Sequence, residues 1–177
     1  MTRWRKAWFM LLELGLRVVL NPYLRSRLLR FFGAAISNNV RIYEVQFFNL
    51  EKGFKNFRVE DDVHIGLGCR IDLEGPVTIR RGTAISPGVT ILTHSDPGSQ
   101  HDTPLSQAFA PFVRGVEIGP HCWIGCNSTI LAGALIRDRT VIGACSLVIG
   151  EIEPDSLYLG TPARKVRSLN LGDKKGQ

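Results

Sequence analysis

The sequence has little cysteine and no long apolar run. Its 177 residues include four cysteines, with no Cys-x-x-Cys pair and none of the dense spacing that a disulfide framework needs. The apolar run at residues 7–20 is interrupted by Glu13 and Arg17, and it is shorter than the ~20 residues that cross a bilayer. No clear small-x-small cleavage site follows it. These absences predict a protein of the reducing cytoplasm, without a secretion signal, a transmembrane helix or a disulfide-rich scaffold.

The sequence does contain a six-residue repeat. Between Ile118 and Val148 every sixth residue is aliphatic, and the residue four positions after each is small in five cases of six. A period of six fits neither the 3.6-residue period of a helix nor the alternation of a strand, and it is typical of hexapeptide β-solenoids. Three six-residue sides make one triangular coil, so we expect about six or seven coils. The aliphatic positions are Ile118, Ile124, Ile130, Ile136, Ile142 and Val148.

Basic charge is concentrated in the N-terminal segment. Residues 1–41 hold eight basic side chains against Glu13 alone, a balance of +7, whereas the rest of the chain holds 14 basic and 15 acidic groups, a balance of −1. Asn21-Pro22 divides this segment into two predicted helices, with arginines on one side and aromatic residues and leucines on the other. Such helices either cap the open end of the solenoid or lie on an anionic membrane surface, and the sequence leaves both interpretations open.

The course of the repeat predicts the domain boundaries. It can be traced from Ile36 and is regular from Val59, apart from a phase shift at residues 74–76, while residues 47–58 break the register and are not assigned. The period is lost again at about 93–115, and a loop this long inside a solenoid is usually functional. We therefore expect an amphipathic basic helical segment at 1–35, a β-helix with the inserted loop at 36–153, and a C-terminal turn and basic tail at 154–177.

Four segments, taken in order, resemble the hexapeptide-repeat acyltransferases. They are ISPGVTILTH at 85–94, CWIG at 122–125, VIGA at 141–144 and GTPARKVR at 160–167. The resemblance covers roughly residues 36–167 and is closest to the galactoside, maltose and nodulation-factor O-acetyltransferases and the O-antigen and capsule acetyltransferases. It implies an all-β, left-handed parallel β-helix and a homotrimer with active sites between neighbouring subunits. The implied reaction transfers an acyl group, usually acetyl, from coenzyme A to a hydroxyl.

The resemblance implies that His94 is the catalytic residue. A sugar hydroxyl needs a general base to take its proton, and the ordinary histidine pKa near 6.5 suits that task. His101 lies in the same loop and is the rival base. Asp72 aligns with an acceptor-binding position, where it would accept hydrogen bonds from hydroxyls or orient His94. A third interpretation is that Asp72 only occupies a corner of the coil.

The resemblance also implies how acetyl coenzyme A is held. Trp123 is assigned to the acceptor side of the site, where it would border the thioester end of the cofactor's arm, and packing between subunits is the alternative interpretation. Main-chain amides near Gly125 and Cys126 would hold the thioester carbonyl and stabilise the oxyanion of the tetrahedral intermediate. Basic residues after the C-terminal turn would bind the phosphates. The implied cofactor-binding residues are Gly125, Cys126, Ala144, Arg164, Lys165 and Arg167.

Two other functions are weighed against this activity. A γ-class carbonic anhydrase shares the solenoid but needs three histidines on zinc, and the spacings of the four histidines here differ from that pattern, so no metal is expected. A non-catalytic trimeric scaffold or adaptor at the membrane surface would keep the fold without the chemistry. The favoured expectation is a cytoplasmic homotrimer that O-acetylates a surface-polysaccharide or lipid-linked glycan precursor. Contact of residues 1–30 with the inner face of the cytoplasmic membrane stays one of the two interpretations of that segment, and no nucleic acid partner is expected.

Overall fold

The computed structural model describes residues 3–98 and 103–171. In these residues the chain forms a left-handed parallel β-helix of about six turns, whose short strands occupy three faces in rotation. Two N-terminal helices and a protruding loop complete the fold. The predicted all-β solenoid with these two additions is confirmed.

Each face of the solenoid is a parallel sheet to which successive coils add one strand. The first face contains β1 (Ala35–Ile36), β4 (Phe57–Val59), β7 (Val77–Ile79), β12 (Val116–Ile118), β15 (Leu135–Ile136) and β18 (Glu151–Ile152). The second contains β2 (Arg41–Ile42), β5 (His64–Ile65), β8 (Ala84–Ile85), β13 (Trp123–Ile124), β16 (Val141–Ile142) and β19 (Ser156–Leu159), with β20 (Arg164–Ser168) added antiparallel. The third contains β3 (Val45–Phe48), β6 (Cys69–Asp72), β9 (Thr90–Ile91), β14 (Thr129–Ile130) and β17 (Leu147–Val148).

The repeat positions line the inside of these sheets. Ile85, Ile124 and Ile142 stand in register on the second face, and all three are buried. Burying an isoleucine side chain contributes about 1.5–3 kcal/mol, so each coil adds an apolar layer on which the next coil stacks. The small residues four positions later fill the corners, where the Ser128 hydroxyl donates to the Gly143 carbonyl at 2.9 Å.

The corners of the coils contain two special backbone positions. Glycine follows the buried aliphatic residue where the next coil passes close by, since a Cβ at Gly125 would stand 2.5 Å from the Ala144 nitrogen. Two residues further on, the chain adopts a left-handed φ, of +57° at Asn127 and +52° at Arg139. Most side chains disfavour this conformation. The stacking of the coils therefore imposes the corner geometry even where the local residue does not prefer it.

The segment that breaks the repeat, residues 47–58, is a widened corner filled by aromatic rings. It joins β3 to β4 through turns. Phe54 and Phe57 are fully buried, and Phe47 packs against both with ring centroids 5.5 and 5.1 Å apart. The period is lost here because phenylalanine rings, rather than regularly spaced aliphatic residues, fill the core.

Two helices, α1 (Arg3–Arg17) and α2 (Pro22–Phe31), pack against the first coils of the solenoid. Leu16 and Leu29 are buried in the same core as the first strands, so the helices cover its open end. Capping, one of the two interpretations of this segment, is thus a feature of the structure. None of the helices in the described residues has the length and apolarity that crossing a bilayer requires.

Arg25 holds the junction between the two helices. Its side chain is buried and donates to carbonyls at the end of α1 and on β2, those of Leu16, Arg17, Val19 and Ile42. The last carbonyls of a helix have no partner within the helix, and a cation there also complements the helix dipole. The guanidinium therefore satisfies buried acceptors that the turn between the helices leaves open. Burial lowers the pKa of Arg25 below its ordinary value.

The protruding loop leaves the solenoid through a short hairpin. β10 (His94–Ser95) pairs antiparallel with β11 (Phe112–Val113) and closes the base of the loop. Within the loop lies α3 (Pro104–Ala108), whose first turn is capped by the Thr103 side chain. The hairpin fixes the two ends of the loop against the corner that follows the third face.

The C-terminal segment contains an edge strand where the sequence predicts only a turn and a basic tail. β19 completes the last coil, and β20 returns beside it in the antiparallel direction. The Ala163 amide donates to the Leu147 carbonyl at 2.8 Å, which ties the intervening turn to the preceding coil. All five residues of β20 are exposed, so the strand presents its basic side chains to solvent.

Replacing Arg25 with alanine should lower the free energy of unfolding by about 2–4 kcal/mol, because four carbonyls lose their donor. The matched control is Arg27→Ala, since Arg27 is exposed on the same helix and its loss should cost less than about 0.5 kcal/mol. Chemical denaturation followed by circular dichroism, at one protein concentration, measures both values. Equal stability of the two variants would contradict the role of the buried guanidinium.

Candidate active site

Asp72 and His94 form a hydrogen-bonded pair at the corner after the third face. Asp72 ends β6 and is fully buried, whereas His94 begins β10 with 31% of its side chain exposed. Nδ1 of His94 lies 2.5 Å from Oδ2 of Asp72. Because an ionised carboxylate only accepts hydrogen bonds, Nδ1 carries the proton and Nε2 of the neutral ring keeps its lone pair.

Three further donors fix the Asp72 carboxylate. Oδ2 accepts the Thr93 amide at 2.9 Å, and Oδ1 accepts the Glu74 amide at 3.0 Å and the Asn49 side-chain amide at 2.9 Å. Burial alone would raise the pKa of Asp72, but the hydrogen bonds from His94 and these donors outweigh it, so the pKa lies below its ordinary value. Asp72 has no surface that can meet an acceptor. Its full burial does not fit the acceptor-binding role expected for it, and its hydrogen bond with His94 fits the second of the three interpretations, the orientation of His94.

Asn49 and Thr93 also belong to this cluster. Thr93 lies in the motif segment at 85–94 without an assigned role, and no motif in the sequence points to Asn49. Asn49 follows β3 with a φ of +56°, a left-handed conformation that asparagine tolerates. Its side-chain nitrogen lies 3.5 Å from Nδ1 of His94 and donates to Asp72. Thr93 is buried, and its hydroxyl accepts the Gly75 amide at 2.9 Å. The pair is thus held from both sides by neighbouring coils.

His94 opens onto a cavity of about 430 Å³. The hairpin of β10 and β11 forms one wall, and the corners of the two preceding coils form the other. The lining combines carboxylates, an amide and a hydroxyl with apolar groups, a composition that suits a molecule bearing hydroxyls. The other lining residues are Asn49, Glu74, Ser95, Asp96, Pro111, Phe112 and Val113.

The residues predicted around the thioester lie on the second face of the solenoid. Trp123 is largely exposed, and its Nε1 donates to the Ser86 hydroxyl at 3.0 Å. The Gly125 amide donates to the Ile142 carbonyl at 2.8 Å, so this amide belongs to the ladder between coils. The Cys126 amide has no hydrogen-bond acceptor within the residues that the structure describes. Of the two predicted oxyanion donors, Cys126 is the one whose amide is available.

Ala144 and the basic residues of β20 continue this surface. Ala144 occupies the equivalent corner of the next coil. Nζ of Lys165 lies 2.6 Å from Oε2 of Glu153, and this hydrogen bond raises the pKa of Lys165. Arg164 and Arg167 are exposed and form no ion pair in the described part of the chain. These two arginines are the cations that β20 presents without a carboxylate partner.

Within one chain, the pair of Asp72 and His94 lies on a different face of the solenoid from the residues predicted to bind the cofactor. His94 and Asp72 follow the third face, whereas the others lie on the second face and its edge. No second-face residue lines the cavity at His94, and among the described residues no hydrogen bond or ion pair connects Trp123 to His94. A single chain therefore places the two groups of predicted residues on different faces of the solenoid.

The remaining histidines have other surroundings. His64 is half-buried beside Tyr43, with ring centroids 5.2 Å apart, and burial lowers the pKa of His64. His121 stands at an exposed corner with a left-handed φ. His101, the rival base of the loop, lies outside the described residues. Within residues 3–98 and 103–171, no three His, Cys, Asp or Glu side chains group so as to hold a metal ion.

Known proteins are similar to this chain in sequence and in fold. Residues 115–150 match the family model described as bacterial transferase hexapeptide (six repeats). A lipopolysaccharide biosynthesis protein, WbbJ of Escherichia coli (strain K12), is 35% identical over 121 residues, a match that covers 65% of this chain and only 59% of that relative. Galactoside O-acetyltransferase of the same strain is 27% identical over 150 residues, covering 85% of this chain and 71% of the relative.

A solved structure extends the similarity to three dimensions. It is the hexapeptide-repeat containing acetyltransferase of Vibrio cholerae O1 biovar eltor, complexed with acetyl coenzyme A. The TM-score is 0.79 at 26% identity, over 93% of this chain and 86% of that chain. Both the order of the coils and the path of the chain are therefore shared with an acetyltransferase.

The imidazole of His94 should adopt the Nδ1–H tautomer at neutral pH, because the ionised carboxylate beneath it only accepts hydrogen bonds. Long-range ¹H–¹⁵N NMR correlations distinguish the protonated ring nitrogen from the unprotonated one. In the Asp72→Asn variant the Nε2–H tautomer should become populated. Glu74→Gln is the control, because only the backbone of Glu74 contacts Asp72. An unchanged tautomer in Asp72→Asn would contradict orientation by the carboxylate.

Proposed function

We propose that this chain is a hexapeptide-repeat acyltransferase that transfers an acetyl group from acetyl coenzyme A to a sugar hydroxyl, with His94 as general base. The acceptor is a surface-polysaccharide or lipid-linked glycan precursor, and the working form is a homotrimer in the cytoplasm. The observation that carries the proposal is the buried Asp72 carboxylate, which holds Nδ1 of His94 and leaves Nε2 to take a proton.

The pair suits the removal of a proton from a hydroxyl. Nε2 of His94 takes the proton as the acceptor oxygen attacks the thioester carbonyl, and the Asp72 carboxylate stabilises the imidazolium that forms. When the tetrahedral intermediate collapses, the imidazolium returns the proton to the departing thiolate. The products are the acetyl ester of the sugar and the free thiol of coenzyme A. Asp72 is a positioning residue in this scheme, since it acts through His94.

The second face supplies the groups that coenzyme A requires. The Cys126 amide donates to the developing oxyanion, and Trp123 borders the thioester. Arg164 and Arg167 bind the phosphates, with Lys165 contributing less because Glu153 already pairs with it. The backbone at Gly125 and Ala144 forms the wall beside the cofactor's arm. The acetyl coenzyme A complex of the Vibrio cholerae relative supports a cofactor of this class.

A homotrimer unites the two groups of predicted residues. Acyltransferases that resemble this chain place their active sites between subunits, and here the His94 pair and the second-face group lie on different faces of one chain. In the trimer, the His94 corner of one protomer meets the second face of its neighbour across a shared cleft. Each cleft then contains one general base and one thioester site.

Replacing His94 with alanine should lower kcat by about 10²–10⁴-fold while the Kd for coenzyme A stays nearly unchanged, because the imidazole acts in the chemical step. Turnover is measured as free thiol released from acetyl coenzyme A with a panel of glycan acceptors, and mass spectrometry identifies the products. The control is His121→Asn, because asparagine tolerates the left-handed φ of +57° at that corner. A full rate in His94→Ala would refute the assignment. Binding of coenzyme A without turnover of any acceptor by the wild type would favour the scaffold alternative.

We also propose that residues 1–30 contact the inner face of the cytoplasmic membrane. Trp4, Trp8 and Leu11 recur at helical spacing along α1, away from the side that packs on the solenoid, and Trp4 is 87% exposed. Exposed apolar residues continue past the helix at Val18 and Leu20. Tryptophan favours the lipid–water interface, and the balance of +7 in residues 1–41 suits anionic headgroups.

The double variant Trp8→Ser, Leu11→Ser should bind vesicles of phosphatidylglycerol and phosphatidylethanolamine about 100-fold more weakly than the wild type, because two large apolar side chains no longer enter the interface. Flotation measures binding, which should weaken with salt and with purely zwitterionic vesicles. Substitutions are preferred to deletion, because deleting residues 1–30 would also uncover the core.

The control for flotation is Leu105→Ser, which removes an exposed leucine from α3 instead of α1. It should bind vesicles as the wild type does. Equal flotation of the wild type and the double variant would contradict membrane contact. A smaller oligomer formed by the double variant would instead show that this face lies between subunits.

A further inference from the structure

An apolar groove lies between α1 and β3. It has a volume of about 430 Å³ and is lined mainly by apolar side chains, Met10 and Leu14 from the helix and Phe47, Phe48 and Leu50 from the strand and the residues after it. The polar residues of the lining are Glu13, Gln46 and Asn49, and the Glu13 carboxylate is buried and accepts the Phe47 amide at 3.1 Å. The groove is therefore suited to a hydrocarbon chain and offers little to a charged ligand.

The groove adjoins the site of the proposed reaction. Asn49 lines both the groove and the cavity at His94. The same side chain donates to Asp72 at 2.9 Å and lies 3.5 Å from Nδ1 of His94. A molecule in the cavity with a chain directed past Asn49 would enter the groove without leaving the surface of the protomer.

The side of α1 that forms the groove is distinct from its other two sides. Phe9 and Leu12 pack on the core, whereas Leu11 lies on the outward side with the tryptophans. Met10 and Leu14 are one helical turn apart and occupy the side between these two. The groove thus connects the proposed membrane-facing side of the helix to the cavity at His94.

We propose that this groove binds the hydrocarbon portion of the acceptor, so that the substrate is a sugar joined to a lipid chain and its hydroxyl reaches His94. This inference rests on the proposed function, because it assigns the acceptor of that same site. Two features of the groove indicate a hydrocarbon chain as the occupant. The groove shares Asn49 with the cavity at His94, and its apolar lining complements a hydrocarbon chain rather than a second sugar.

The test is a series of methyl, butyl and hexyl glucosides and galactosides, assayed below their critical micelle concentrations and without vesicles. Each buried methylene should raise kcat/KM by about fourfold until the groove is filled. Leu14→Ser should lower kcat/KM for the hexyl glycosides by about tenfold and leave that for the methyl glycosides within about twofold. Leu11→Ser is the matched control, since Leu11 is a leucine of the same helix with similar exposure, 67% against 57% for Leu14, and it does not line the groove.

Three outcomes would each overturn the proposal. In the first, kcat/KM is equal along the series of glycosides. In the second, Leu14→Ser lowers kcat/KM equally for methyl and hexyl glycosides, and in the third, Leu14→Ser and Leu11→Ser lower kcat/KM equally. A second measurement needs no turnover: hexyl glucoside should displace the fluorescent probe N-phenyl-1-naphthylamine from the wild type and from Leu11→Ser, and methyl glucoside should not. If hexyl glucoside does not displace the probe, the groove does not bind the hydrocarbon chain and the proposal is wrong. If the probe is displaced but no glycoside is acetylated, the proposed reaction is wrong, while binding of a hydrocarbon chain in the groove still holds.

Discussion

The ladder of backbone hydrogen bonds between successive coils positions the residues that we propose to be functional. Strand amides donate to carbonyls of the neighbouring coil, as Leu92 does to Ile130 at 2.9 Å. At the next residue this pattern ends, and the Thr93 amide donates to the Asp72 carboxylate instead. A buried side chain thus replaces a strand carbonyl where the chain leaves the solenoid, and the replacement brings His94 beside the carboxylate. The proposed catalytic pair is built at the point where the ladder stops.

The repeat period predicts the solenoid because it indicates which side chains face inward, whereas His94 is indicated only by the resemblance to the hexapeptide-repeat acyltransferases. The sequence offers orientation of His94 as one interpretation of Asp72, but it does not indicate the other contacts around that histidine. Asn49 stands 45 residues before His94 and lies in the corner where phenylalanine packing replaces the period. The burial of Asp72 and the pairing of Lys165 with Glu153 also depend on coils that meet only after folding. Periodicity encodes register within a coil, and it carries no information about side-chain partners between coils.

The N-terminal helix combines several tasks in 15 residues. One side completes the core of the first coils, a second forms a wall of the apolar groove, and a third exposes tryptophans and leucine to solvent. A helix can do this because residues three and four apart share a side, so three stripes of two or three residues fit around one axis. The buried Arg25 then fixes the end of this helix to the first coil. The same stabilising contact therefore sets the orientation of all three stripes.

Because the coils stack at a regular spacing, residues on successive strands of the second face are separated by fixed steps along the axis of the solenoid. Neighbouring strands of a sheet are about 4.8 Å apart, and β20 is the third strand beyond β13, so roughly 14 Å separates the tryptophan from the terminal arginines along the axis. Adding or removing one coil would change that span by a whole step, whereas substitutions within a coil would leave it fixed. In the proposed site, the number of coils therefore sets, in discrete steps, the length of ligand that would bridge the tryptophan and the arginines.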